Sequence, residues 1–240
     1  MKRRMLDLFC GRWGWSKAFA ARGWECVGVD IQRPPEIPKN CQFIELDVMQ
    51  LCWNEYPIGH FNIRCEGPNP FWEGGFDFLC ASPPCEEFAV WGMKHFHPQP
   101  KLPEAGILLF EYTRNLFRCS GIPWVIENVR PAQQFVGQAK QLCGSFALWG
   151  NGVPPILPQG IRKGATQMRR DGRFRRRGGV DELMYMKKTG PDGRAARLAE
   201  IPPELANCVA DYTERLLELT NSTGDGGQSD PVDSISGDAL

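Results

Sequence analysis

Short apolar runs alternate with helix-forming segments from Arg4 to Ile126, and this alternation restricts the fold more than any other feature of the chain. Arg4 to Phe9 and Glu25 to Asp30 are apolar runs that end in turn or acidic residues. Between them Ser16 to Arg22 carries helix formers and closes with Gly23. The alternation continues through Gln42 to Leu46, Phe76 to Ala81, a helical Glu104 to Phe117, and Pro123 to Ile126. Strands separated by helices are joined by crossovers and so run parallel. The expected fold is therefore α/β, a doubly wound, mostly parallel, Rossmann-like sheet. Such a sheet binds its ligands in the crevice beyond the carboxyl ends of the strands, so residues at those ends carry most of the functional information.

The chain has 240 residues, 42% hydrophobic and 23% charged, which suits a globular protein with one substantial core and a small appendage. No apolar run is long enough to span a bilayer, and the positive flanks Lys2 to Arg4 meet Asp7 at once, unlike a signal peptide. The expectation is a cytoplasmic protein with no membrane partner. Ten cysteines are scattered along the chain without a C-x-x-C pair, and Cys26 and Cys80 sit inside apolar runs. They read as reduced cysteines, with neither a disulfide framework nor a metal site. Net charge is zero, but Arg162, Lys163, Arg169, Arg170, Arg173, Arg175, Arg176 and Arg177 crowd one segment. That is the electrostatic footprint of a nucleic-acid contact, or else a solvated loop.

The expected organisation is a ligand-binding domain over 1–150, a small basic region over 151–200, a helix over 201–220 that returns to the first domain, and a disordered tail over 221–240. Trp53 to Gly75 is rich in Pro, Gly, Asn and aromatics without periodicity, and reads as a surface excursion. Val153 to Pro158 reads as extended, and Pro202 starts a last helix reaching about Leu219.

Three groups at the expected strand ends have chemical potential. Ser82-Pro83-Pro84-Cys85 places a thiol on a rigid turn where a strand meets its loop, a position that suits a nucleophile and would equally serve an ordinary loop. Asp7 to Gly14 leaves the first strand and opens the first helix through Gly11 and Gly14, and Asp30 ends the next strand. Glycines that admit a ligand to the backbone, with a carboxylate able to accept two ribose hydroxyls, point to an adenosine-type ligand. A tight turn and a capped strand end are the structural alternatives. Asp47 ends the following strand and is placed to read an adenine amino group. Glu127-Asn128 ends the strand after Pro123, on the same edge as Cys85, and burial beside Trp124 and Val125 is expected to raise the Glu127 pKa into the range of a proton donor.

Taken in order, these segments resemble the DNA (cytosine-5) methyltransferases, of the compact kind found in phages and prophages. Asp7 to Gly14 is similar to the family's D-L-F-x-G-x-G-G, with Trp13 in place of the middle glycine; Asp30 and Asp47 stand where the second and third motifs place acids. Asp77 to Phe88 resembles the nucleophile motif with Glu86 for its usual glutamine, Glu127-Asn128-Val129 matches E-N-V, and Leu142 to Ser145 resembles the segment before the arginine-bearing motif. Gln167-Met168-Arg169-Arg170 keeps Q-x-R of Q-x-R-x-R, and Ala206-Asn207-Cys208-Val209 resembles G-N-S-V at two of four positions.

The resemblance implies methyl transfer from S-adenosylmethionine to C5 of cytosine in double-stranded DNA by a monomer that needs no metal. Cys85 would attack the flipped base, Glu127 would protonate it, and Arg169, with Arg170 as its rival, would grip it. It further implies that Phe9, Gly11, Gly14, Asp30, Ile31, Asp47, Pro84 and Asn207 hold the cofactor, and that Arg162, Lys163, Arg170, Arg173, Arg175 and Arg176 contact DNA phosphates. The loop Glu86 to Lys101, with Trp91, His95, Phe96 and His97, would close over the base, and the short basic region implies short or relaxed selectivity. Two alternatives remain at this level: methylation of RNA, and a degenerate binding module that Trp13, Glu86 and the shortened arginine motif favour but Cys85 and Glu127-Asn128-Val129 oppose.

Overall fold

A computed structural model describes residues 2–54, 60–63, 75–92, 99–161, 167–168, 174–175 and 200–223. In chain order the elements are β1 (Arg4–Leu8), α1 (Ser16–Ala20), β2 (Glu25–Asp30), β3 (Cys41–Glu45), β4 (Leu51–Asn54), β5 (His60–Ile63), β6 (Phe78–Ala81), α2 (Glu86–Gly92), α3 (Glu104–Ser120), β7 (Trp124–Val129), α4 (Gln133–Val136), β8 (Gln141–Cys143), β9 (Phe146–Trp149), β10 (Gln167–Met168), β11 (Phe174–Arg175) and α5 (Pro203–Thr223). Seven strands form one sheet in the order β3, β2, β1, β6, β7, β9, β8. β3, β2, β1, β6 and β7 run parallel, while β9 runs against β7 and β8 against β9. The protein is thus mixed α/β with a mostly parallel sheet. From β1 the chain winds outward to β2 and β3, then crosses back to β6 on the other side of β1. The two carboxyl ends at β1 and β6 therefore diverge, and that is where an open α/β sheet leaves a crevice.

Both faces of the sheet are covered because successive side chains point to opposite sides and both sets are apolar. Leu6, Leu8, Val27, Val29, Leu79, Ala81 and Ile126 pack on one face with Phe110 and Phe117 of α3. Met5, Cys26, Phe78, Cys80, Val125 and Leu148 pack on the other, against Phe19 of α1 and Leu205 and Val209 of α5. α5 is fixed against α1 by polar contacts as well. Arg22 donates to Asp211 Oδ1 at 2.5 Å and to Asn207 Oδ1 at 2.7 Å, and Trp24 Nε1 donates to Glu214 Oε1 at 3.1 Å.

Three sequence expectations need correction, and one stretch carries strands that the sequence did not suggest. The stretch from Trp53 to Gly75 is not without regular structure, since Leu51–Asn54 and His60–Ile63 pair antiparallel as a separate ladder; 55–59 and 64–74 lie outside the described residues. Beyond Leu142 the sheet continues through β8 and β9, whose runs of three and four residues around the left-handed Gly144 are too short to show periodicity. Glu86 to Lys101 does not begin as a loop, because α2 starts at Glu86. The last helix extends to Thr223, so the start of the expected tail is helical, and 224–240 lie outside the described residues. No helix among the described residues is long and apolar enough to cross a membrane, and no group of three or more His, Cys, Asp or Glu among them could hold a metal ion.

Candidate active site

The loop from β1 to α1 is built from backbone conformations that most residues avoid. Phe9, Gly11 and Trp13 have φ of 57°, 46° and 63°. Left-handed backbone costs a non-glycine residue on the order of 1 kcal/mol, so the loop depends on its surroundings to hold it. Asp7 supplies part of that hold: it is buried at the end of β1 and accepts from Ser16 Oγ at 2.6 Å and Ser16 N at 3.3 Å, fixing the start of α1. Burial pushes the Asp7 carboxyl up to about 7, against the lowering effect of the Ser16 bonds.

The two glycines of this loop have different reasons to be glycine. A Cβ on Gly11 would find only the Phe9 carbonyl, at 3.9 Å, so its face is open and its φ sets the requirement. A Cβ on Gly14 would lie 2.8 Å from Ile201 Cβ and 2.9 Å from Ile201 N; here glycine lets the lead-in to α5 approach. Trp13 is 1% exposed, donates from Nε1 to Glu36 O at 3.0 Å, and meets Phe43 edge-on at 6.3 Å. Its ring covers Gly28 of β2, where a Cβ would be only 2.3 Å from Cζ3. The indole is therefore packed inward against the sheet.

The acidic strand ends also fasten the edge. Asp30 Oδ2 accepts the Gly11 N–H at 3.0 Å and Oδ1 accepts the Gln32 N–H at 3.1 Å, while exposed Asp47 accepts the Met49 N–H at 2.9 Å and caps a short 3₁₀ turn. Each carboxylate has acceptor capacity beyond these bonds. Beside Asp30, Ile31 is 63% exposed, an apolar surface next to polar acceptors.

Ser82 to Cys85 leaves β6 under three separate ties. The Ser82 N–H donates to Leu8 O at 3.2 Å, Ser82 Oγ accepts from Trp15 Nε1 at 3.0 Å, and Pro83 O accepts from Asn128 Nδ2 at 3.0 Å. The loop is thus held to β1, to the approach of α1, and to β7. Cys85 is half-buried against the α3-side core, and its carbonyl accepts the Ala89 N–H at 2.8 Å in the first turn of α2. Glu127 is 4% exposed on β7, opposite Leu148 of β9, and Asn128 is fully buried with Oδ1 accepting the Val129 N–H at 2.8 Å. Strand alternation puts Glu127 on the sheet face of Val125, the α1 and α5 side, while Cys85 packs against the opposite core; the Asn128 amide joins their two segments across the edge.

α2 is docked firmly. Phe88 is buried, Glu87 Oε2 accepts the Gly106 N–H at 2.8 Å, and Gly92 lies so close to Pro131 that a Cβ would be 2.4 Å from Cγ. Trp91, expected to close over a base, instead donates to Gln134 Oε1 at 3.0 Å and packs edge-on against Phe135 at 5.0 Å. His95, Phe96 and His97 lie outside the described residues.

Of the residues expected in the site, Phe9, Gly11, Asp30, Ile31, Asp47, Pro84 and Cys85 lie at or just beyond the carboxyl ends of β1, β2, β3 and β6, whereas Glu127 lies inside β7 on the face opposite the core against which Cys85 packs. Gly14 sits on the same loop but faces Ile201. Asn207 is elsewhere: it is exposed on α5, takes a bond from Arg22 beyond the far end of α1, and lines a groove of about 480 Å³ between α5 and Pro154 to Pro158. The alignment to G-N-S-V put it at the cofactor because half of a four-residue motif matched; the residue that α5's lead-in presents to the glycine loop is Ile201. Arg162, Lys163, Arg169, Arg170, Arg173 and Arg176 lie outside the described residues, and Arg175 is described only as the β11 partner of Gln167. Sequence reasoning missed Trp15 and Asp7 as fasteners of the site, although a Ser at the start of α1 nine residues after a strand-end Asp was visible. Neither protein-family models nor curated proteins match the chain.

Proposed function

We propose that this chain transfers a methyl group from S-adenosylmethionine to C5 of cytosine in DNA, with Cys85 as nucleophile and Glu127 as acid. One observation carries the reading: the buried Asn128 amide bonds Pro83 O at 3.0 Å, coupling the segment that bears the acid to the turn that bears the thiol. The mostly parallel sheet, which supplies the crevice beside β1 and β6, agrees with the Rossmann-like methyltransferase fold that the motifs imply.

The strand ends fit a sulfonium nucleoside. An open backbone at Gly11, an exposed Ile31 and the acceptors of Asp30 and Asp47 together offer an apolar surface for a base and polar atoms for a ribose and an amino group. Phe9, Gly11, Asp30, Ile31, Asp47 and Pro84 would hold it. Bound there, S-adenosylmethionine supplies an electrophilic methyl group.

The chain's own residues prepare the base to accept that group. C5 of cytosine is a weak nucleophile, and addition of the Cys85 thiolate at C6 gives C5 the reactivity of an enamine. Electron density moves to the ring, and a protonated Glu127 at N3 stabilises it. Once C5 has taken the methyl group, its proton leaves to water and the Cys85 thiolate is expelled from C6, which restores aromaticity. A duplex hides C6, so the base must be flipped out at a cost of a few kcal/mol, offset by pocket and phosphate contacts. The arginine-rich segment supplies those phosphate contacts, and with them an affinity that falls as salt rises.

The test is a covalent trap. DNA carrying 5-fluorocytosine throughout is incubated with the protein and S-adenosylmethionine and run on a denaturing gel; fluorine at C5 blocks proton loss, so the adduct persists. Wild type should crosslink and Cys85→Ala should not. Absence of any Cys85-dependent adduct on DNA or RNA would refute the enzymatic reading, and an adduct on RNA alone would move the substrate to RNA.

A further inference from the structure

We infer that Cys26 and Cys41 form an oxidation-sensitive dithiol that closes to a disulfide across the β2–β3 pair. The two residues are direct register partners on adjacent parallel strands, so their side chains leave the same face. Both belong to the core under α1 and α5, Cys26 fully buried and Cys41 packed at its margin. Adjacent strands lie about 4.8 Å apart, within the roughly 4.4–6.8 Å that disulfides span between Cα atoms. Cys26 Sγ donates to Ser16 O at 3.5 Å, which holds its side chain on the α1 side of the sheet, the face shared with Cys41.

The sheet order makes this pair the accessible one. β3 is an edge strand, so Cys41 is half-exposed and can meet an oxidant, and β3 is held by a neighbouring strand on one side only. Cys80 lies on β6, with β1 between it and Cys26, so the two strands are about 10 Å apart, too far to bridge. Cys26 is 1% exposed, so peroxide reaches the edge-strand Cys41 first and Cys26, its register partner, is left as the resolving sulfur.

The steps balance with a peroxide as oxidant. Cys41 sulfur is oxidised by hydrogen peroxide to a sulfenic acid, releasing one water. Cys26 sulfur then attacks that sulfur, its proton leaving with the displaced hydroxide as a second water. Two thiols lose two hydrogens and peroxide is reduced. The bridge ties β2 to β3, the strands that lead to Asp30 and Asp47.

Peptide mapping reads the outcome directly, because cleavage after Lys39 separates the two cysteines. The full chain is treated with equimolar hydrogen peroxide, alkylated, and digested without reductant. The expected result is a peptide pair joined through Cys26 and Cys41, released by dithiothreitol and lost in Cys41→Ser. In Cys26→Ala, which keeps the core apolar, dimedone should label Cys41 as its sulfenic acid. A treated wild type in which both thiols remain alkylatable, or in which either is bridged to another cysteine, would overturn the inference. So would Cys26→Ala in which Cys41 fails to take dimedone. None of these results depends on whether the chain methylates cytosine.

Discussion

Truncating Asn128 tests the coupling on which the proposed site depends. Asn128→Ala removes the donor to Pro83 O and the acceptor for the Val129 N–H, and both bonds lie in a fully buried environment. A buried polar group left without its partner costs roughly 1–3 kcal/mol, so losing both predicts a destabilisation of about 2–6 kcal/mol. For a chain of this size each kcal/mol moves the melting temperature by about 2–4 °C, so thermal denaturation should show a fall of roughly 4 °C or more. Asn128→Asp separates the two bonds. It keeps an acceptor for Val129, and once ionised it has no hydrogen to give Pro83 O. If the Pro83 bond aims Cys85, Asn128→Asp should slow single-turnover trapping by on the order of 10²-fold, the penalty of misplacing a reacting group by about 1 Å. An Asn128→Ala protein within about 0.5 kcal/mol of wild type would refute the energetic argument. Trapping by Asn128→Asp at the wild-type rate would refute the positioning argument even if stability fell.

Three further outcomes are expected. Glu127→Gln should leave the fold intact and lower the trapping rate by roughly 10²–10⁴-fold in the same assay, the usual contribution of a positioned acid. Gly28→Ala should destabilise by about 1–3 kcal/mol or more because its Cβ would stand 2.3 Å from Trp13 Cζ3, and Trp13→Leu in the same chain should recover much of the loss in a urea double-mutant cycle. Asp7 should make stability fall as pH rises: the folded carboxyl holds its proton to about pH 7 and the unfolded one releases it near 3.8, so the folded state binds more protons between those values. The shift of about 3 units corresponds to on the order of 4 kcal/mol across that window, and Asp7→Asn should flatten this part of the pH dependence of the urea midpoint.

The parallel core of the sheet was legible because β1, β2, β6 and β7 are apolar on both faces, and a strand buried on both sides reads as an unbroken apolar run. The hairpin β8–β9 was not, since Gln141 to Cys143 is too short for any period to register and its place beside β7 depends on long-range pairing. β4 and β5 were hidden for a similar reason, since their pairing lies across residues with no alternating pattern. Of the candidate residues, Asp30, Asp47 and Cys85 lie at or just past strand ends as the sequence suggested, whereas Glu127 lies two residues inside the end of β7. What could not be read was how those residues are held: Trp15 reaching Ser82, Asn128 reaching Pro83, and Asp7 reaching Ser16 are contacts between segments whose adjacency the sheet order alone creates. Asn207 shows the opposite error, a local match of two letters that the packing of α5 on α1 overrides.

Trp13 bears most directly on whether this is a working site or a decayed one. A large residue where the D-L-F-x-G-x-G-G pattern has glycine would destroy the loop if it kept a left-handed backbone with nowhere to place its ring, and Trp13 does keep φ of 63°. The ring has a place because β2 carries Gly28 at the point it covers, and because Glu36 O takes its N–H. A substitution drifting in a degenerate protein would leave an exposed indole or an orphaned donor; this one is buried and bonded, at a position that a methyl on Gly28 would close. Gly11 meanwhile keeps its open face and its bond to Asp30, the features a nucleoside would use. Trp13 thus packs as the floor of the loop while the Gly11 face stays open, so a packed and bonded indole gives the degenerate module no support.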